Sequence, residues 1–320
     1  MKVFRVSRAM IVLLACVQFV NAQYQTELHV ALDGSGEYTS IQAALDDTKS
    51  FPDQPITVYV KAGVYKEKVT IHQWNPHVTL KGEGADKTII QWDDAFDRIG
   101  RGRNSTFMTA TLSIEAEDVR VEDLTIENTA GPVGQAIALS VTGDRCQFHR
   151  CRILGDQDTL FADGTHARQY FADCYIAGTT DFIFGGATVF FERCEIRSKS
   201  NSFITAASTP KGRKYGFVFQ HCQLTADPGV DAVYLGRPWR DHAKTALINC
   251  AMGPHIRPEG WDNWSSPERE HTTEYVEFHN TGPGADVSGR VGWCHLLGKD
   301  DAIRYSRDIV LEEMRITNEK

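Results

Sequence analysis

Along the middle of the chain, inward-type residues recur in one pattern: two at alternate positions, a two-residue step, then two more. It reads Val119, Val121, Leu124, Ile126, and returns as Cys146, Phe148, Cys151, Ile153. Further copies are Gln169, Phe171, Cys174, Ile176; Val189, Phe191, Cys194, Ile196; Phe217, Phe219, Cys222, Leu224; and Thr245, Leu247, Cys250, Met252. Val276, Phe278 and Thr281 form a weaker seventh copy. The third positions are 27, 23, 20, 28 and 28 residues apart. Alternation is the mark of a strand, and the two-residue step reverses which parity points inward. A flat strand cannot do that, so each copy must bend there and continue in a second sheet. Short bent strands at uneven repeat lengths predict an all-β chain folded as a right-handed parallel β-helix, one coil per copy. Equivalent residues then stack in ladders, and the ladder of cysteines 151, 174, 194, 222 and 250 is mainly core packing, with a disulfide between some neighbours as the alternative.

A solenoid must close its open ends. Ser40 to Thr48 puts Ile41, Ala44 and Leu45 on one helical face, which predicts a short N-terminal capping helix. Residues from about Gly253 onward, with Trp261, Trp264 and Trp293, are expected to fold back along the outside of the coil. Lys2, Arg5 and Arg8, the apolar run Ala9 to Val20, and Val20-Asn21-Ala22 read as a secretory signal peptide over 1–22. Residues 23–320 are then expected to form a single catalytic domain that is secreted, with no membrane segment.

The formal net charge is -8, and loss of three basic residues with the leader makes it -11. That argues against a nucleic-acid partner, which needs a basic surface. It also makes a polyanionic substrate an awkward partner. Seven cysteines remain after the leader, an odd number, without metal spacing. No metal and no cofactor is expected. Asn104-Ser105-Thr106 and Asn263-Trp264-Ser265 are glycosylation sequons.

The register makes a sharper prediction. Asp158 lies seven residues after Cys151, and Asp181 seven after Cys174. They share one phase of consecutive coils, with Cα atoms ~5 Å apart if the turns match. Two such carboxylates do not readily ionise together; one becomes a proton donor and the other an anion. Aspartates are also common in turns, but Phe182, Ile183 and Phe184 are costly neighbours for an idle carboxylate. Gln157 and Gln135 offer neutral donors for an oxyanion, or ordinary ladder hydrogen bonds. Arg237, in LGRPW, either holds one aspartate through a forked contact or forms a surface salt bridge. A fork on Asp181 would lower its pKa while that of Asp158 rises. Trp239, Phe161 and Phe184 are sugar-stacking platforms or core.

These residues lie in segments that resemble the pectin methylesterase, or pectinesterase, family through nearly all of the chain after the leader. GSGEYTSIQAAL (34–45), GVYKEKV (63–69), GQAIAL (134–139), GDQDTLF (155–161), AGTTDFIFG (177–185) and LGRPW (235–239) match its motifs in order, and GWDNW (260–264) and FHNTGPGA (278–285) its closing segments. The resemblance implies the same β-helix and an esterase that releases methanol from methyl-esterified homogalacturonan, using water and no cofactor. It implies Asp181 as nucleophile, Asp158 as general acid then base, Gln135 and Gln157 as the oxyanion hole, and Arg237 as the partner of the nucleophile. Trp239, Phe161, Phe184 and Thr109 are the implied substrate contacts, and proteinaceous inhibitors the implied protein partners. Gly186, Thr180 and a slightly long loop over Asp163–Ala167 depart from the common pattern. Rival readings are a β-helical polysaccharide lyase, a glycosidase acting on pectin, or an inactive pectin-binding relative. No GxSxG serine elbow is present.

Overall fold

The alternating pattern becomes three sheets. The computed structural model describes residues 24–312 and residue 314; the expected leader, 1–22, lies outside them. Among the described residues every strand pair is parallel, in sheets of eleven, eight and seven strands. Each coil visits the eleven-stranded long sheet, then the eight-stranded sheet, then the seven-stranded sheet. Cys146–His149, Arg152–Leu154 and Leu160–Ala162 make up one such coil. This is the parallel β-helix that the repeat predicts.

The parity reversal has a local cause. Asp123, Arg150, Asp173, Arg193, His221 and Asn249 each precede the third position of a copy, with φ between +52° and +56°. One left-handed residue turns the chain from the long sheet into the next without losing an inward position. Such a conformation costs ~1–2 kcal/mol for a residue with a side chain. Here the turn donates its N–H to the next coil, as Arg150 does to Ala172 and Asp173 to Glu192. Ion pairs also stack at this corner: Arg150 forks onto Asp123 at 2.7 and 2.9 Å, and Arg193 onto Asp173 at 2.8 and 2.9 Å.

Inside, equivalent residues form the expected ladders. Cys146, Gln169, Val189, Phe217 and Thr245 are in register, as are Phe148, Phe171, Phe191, Phe219 and Leu247. Ring centroids in the second ladder are 4.3, 5.1 and 4.4 Å apart. The five ladder cysteines are buried free thiols, and their Sγ atoms donate to backbone carbonyls.

At the N-terminal end, the helix Ile41–Asp46 buries Ile41, Ala44 and Leu45 as expected. Ser40 Oγ accepts from Ala43 N, and Glu67 receives the N–H groups of Ile41 and Gln42. The C-terminal end differs from expectation. Glu274–Phe278 and Cys294–Leu296 extend the long sheet rather than lie outside it. The seventh copy is also offset by one: Tyr275 and Glu277 continue the inward ladders, not Val276 and Phe278. An inward glutamate is tolerable because Arg290 Nε donates to it at 2.8 Å and Trp261 Nε1 at 3.2 Å. Trp264 reaches the outer face of the seven-stranded sheet, and the last segment covers the outside of the long sheet, where Val310, Leu311 and Met314 pack on Tyr170, Phe190 and Val218.

Candidate active site

The seven-stranded sheet carries the site on its outer face. Leu160 pairs with Ile183, so Asp158 and Asp181, each two residues earlier, occupy the same phase of adjacent coils. Both are left-handed, with φ of +64° and +49°. Asp158 N donates to Thr180 O at 3.1 Å and Asp181 N to Phe203 O at 2.8 Å, so each turn is held by the coil above. The bend before Asp181 needs a glycine: a Cβ on Gly178 would lie 2.2 Å from that of Phe182. Phe182 and Ile183 are fully buried and anchor the segment in the core.

Arg237 projects from Tyr234–Pro238, two coils beyond Asp181 and three beyond Asp158. Its Nε donates to Asp181 Oδ1 at 3.0 Å and its Nη2 to Oδ2 at 2.8 Å. The guanidinium lies between two rings, with its central carbon 3.8 Å from the Phe203 centroid and 3.6 Å from that of Trp264. The stack continues: Phe203 lies on Tyr234 at 5.3 Å, and Arg257 lies over Tyr234 at 4.9 Å. Gln135 and Gln157 pair through a parallel bridge one coil below.

A cavity of 290 Å³ opens over these groups. Gln135, Gln157, Asp158, Asp181, Arg237, Phe184 and Trp239 all line it, so seven of the nine residues expected from sequence meet in one place. The other two do not line it. Phe161 is buried, between Phe107 at 5.1 Å and Phe184 at 4.8 Å, and packs beside Phe184 on the same face of the sheet. Thr109 is fully buried, so its expected role as a substrate contact is replaced by a loop-holding one. Its hydroxyl donates to Thr106 O at 2.6 Å and accepts from Ile137 N at 2.9 Å. The loop that it fixes supplies two wall residues that the sequence reading missed, Thr106 and Phe107. Trp264, read as part of the outer tail and of a closing motif but not as a site residue, forms another wall with φ of +59°. The signal available in the sequence for the first wall was Phe107 directly after a sequon, a large apolar residue next to a segment expected at the surface.

The two carboxyl groups differ electrostatically. Burial and the Asp181 charge push Asp158 up to about 8, with Arg237 opposing weakly. Burial also raises Asp181, and there the Arg237 fork restrains the rise. The expected fall for Asp181 is therefore not met, because desolvation outweighs the arginine. The division of roles survives: Asp158 holds a proton at neutral pH, and the anion is favoured on Asp181, where both oxygens receive N–H donors.

The chain matches the family model described as Pectinesterase over residues 27–313. It is 36% identical to Pectinesterase 31 of Arabidopsis thaliana over 283 residues, 86% of this chain and 89% of that protein. Against the Probable pectinesterase/pectinesterase inhibitor 23 of the same plant it is 40% identical over 294 residues, covering 87% of this chain and 51% of the other. The chain thus spans about half the length of that relative. Pectin methylesterase from carrot superposes with a TM-score of 0.83 at 32% identity, covering 89% of this chain and 92% of that one. A pectin methylesterase in complex with a hexasaccharide superposes with a TM-score of 0.80 at 28% identity, covering 93% and 99%. The carboxylate pair, its arginine and the coil that positions them thus stand in a chain that belongs to the pectinesterase family.

Proposed function

We propose that this chain is a pectin methylesterase, cleaving the methyl esters of polygalacturonate through a covalent intermediate on Asp181. The observation that carries this reading is the forked Asp181–Arg237 pair one coil from a carboxyl group that burial keeps protonated. An Asp181 oxygen attacks the ester carbonyl carbon, and Gln135 and Gln157 donate to the oxyanion that forms. The C–OCH₃ bond breaks as Asp158 gives its proton to the methoxide, and methanol leaves. Asp158, now an anion, takes a proton from water as that water attacks the anhydride. Galacturonate departs, Asp181 is again a carboxylate, and Asp158 again holds its proton. Phe184, Trp239 and Trp264 offer ring faces to the sugar beside the reacting ester.

The relative solved with a hexasaccharide supports a polymeric substrate lying across this cavity. Export after cleavage behind Ala22 and binding of proteinaceous inhibitors belong to the same reading. A relative named pectinesterase/pectinesterase inhibitor supports the second. The test is incubation with highly esterified homogalacturonan while methanol and new reducing ends are both followed. Methanol without reducing ends is expected; reducing ends without methanol would move the protein to the lyase or glycosidase reading.

A further inference from the structure

Most arginines of the described residues, Arg145, Arg193 and Arg290 among them, sit on carboxylates. Arg213 does not. It faces a second cavity, of 330 Å³, where the seven-stranded sheet gives way to the long sheet. Its Nη2 donates to Thr188 Oγ1 at 2.9 Å, and its Nη1 lies 3.5 Å from His166 Nδ1. Its Nε is buried with no hydrogen-bond partner. Arg168 and Lys214 line the same cavity as His166, so two further cations stand near this guanidinium.

The two acidic groups there make no hydrogen bond or ion pair to it, and Asp144 favours its cation only through space. Asp144 Oδ1 accepts from the backbone N of Arg168 and from its Nε, while Oδ2 accepts from Arg168 Nη2 and Arg145 Nη1. Glu312 is exposed, and its backbone carbonyl accepts from Arg168. Burial and the nearby Arg168 push Arg213 below its ordinary range. A half-buried guanidinium beside other cations, with an N–H that no protein group takes, is suited to an oxyanion. The family departures at Gly186 and Asp163–Ala167 also fall here: His166 belongs to that loop, and Gly186 N donates to Asp163 Oδ1 at 2.9 Å. This end of Leu160–Ala162 is the one away from Asp158.

We propose that this cavity is a second binding site, in which Arg213 takes the carboxylate of a de-esterified galacturonate unit of the polymer. The inference rests on the esterase reading for the source of that carboxylate. A small free oxyanion offers the same chemistry, and the titrants below separate the two sources.

The test is calorimetric titration of the full chain with fully de-esterified oligogalacturonate, galacturonate monomer and inorganic phosphate in turn. The parent should show two classes of site for the oligomer, one of them lost or weakened about tenfold in Arg213→Gln. Arg213→Lys should restore it in part. His166→Gln and Lys214→Gln alter exposed residues, and should each weaken the same class even if Arg213→Gln misfolds. Unchanged binding in these variants overturns the site, whether or not the parent releases methanol, so the two readings fail separately. Binding of monomer or phosphate as tight as that of the oligomer overturns the polymer as the occupant.

Discussion

Asp158 stands two residues before an inward strand position, where the turn leaves it buried without a counter-ion of its own. Its raised pKa has two consequences. Activity needs the proton, so kcat/KM should fall above about pH 8. Stability follows the same proton. The folded state holds it up to about 8 while the unfolded chain releases it near 4. The folded state therefore binds more protons across that window, and the contribution, complete below about pH 4, is lost as pH rises through about 8. Asp158→Asn, which cannot ionise, should match the parent near pH 4 and exceed it at pH 9 by on the order of a few kcal/mol. Urea unfolding at both pH values measures this, and equal stability at pH 9 would mean that burial does not hold the proton. The phase shared by Asp158 and Asp181 was legible in sequence because seven residues separate each from a ladder cysteine. The sign of the Asp181 shift was not, because the arginine could be seen in a motif but the depth of burial could not.

At the scale of the element, the unit is a stack that crosses strands: Arg257, Tyr234, Phe203, Arg237 and Trp264. Rings on both faces fix the plane of the guanidinium, and the plane fixes the fork on Asp181. Each cation–π contact is worth ~0.5–2 kcal/mol. Phe203→Ala should therefore lower kcat about threefold to thirtyfold with little change in KM, and Phe203→Tyr should recover it. A loose fork also leaves Asp181 less favoured as an anion, so the acidic limb of the pH–rate profile should move upward in Phe203→Ala. A drop in kcat with an unmoved limb would reduce Phe203 to packing. Within this unit only Arg237 was readable as a site residue. Trp264 reaches it from a loop 27 residues further on, and no periodic pattern encodes that approach. The bend of each coil, by contrast, was written in the two-residue step, since parity cannot reverse without it. The seventh copy misled because Val276 and Phe278 look inward by type, while a glutamate faces in on the strength of Arg290.

For the whole molecule, charge and substrate must be reconciled. The chain carries -8 formally, yet the product of the proposed reaction is a polyanion. Around the cleft some positive charge is unpaired. Among the described residues, Arg101, Arg103 and Arg240 are exposed and form no ion pair with a carboxylate, and they lie on the two loops that carry Phe107 and Trp239. Charges this near a bound polymer act within a Debye length of ~10 Å, whereas the net charge is spread over the surface. Partly de-esterified pectin should therefore be preferred at low salt, and its kcat/KM relative to fully esterified pectin should fall as salt is added. A ratio that rises with salt would mean that the net charge governs, as composition alone suggested. The central claim is tested most directly by Asp181→Asn, which preserves shape and removes the nucleophile. With highly esterified homogalacturonan at neutral pH, methanol release by this variant should fall by about a thousandfold or more, with the melting temperature retained. Methanol release within tenfold of the parent would contradict the account.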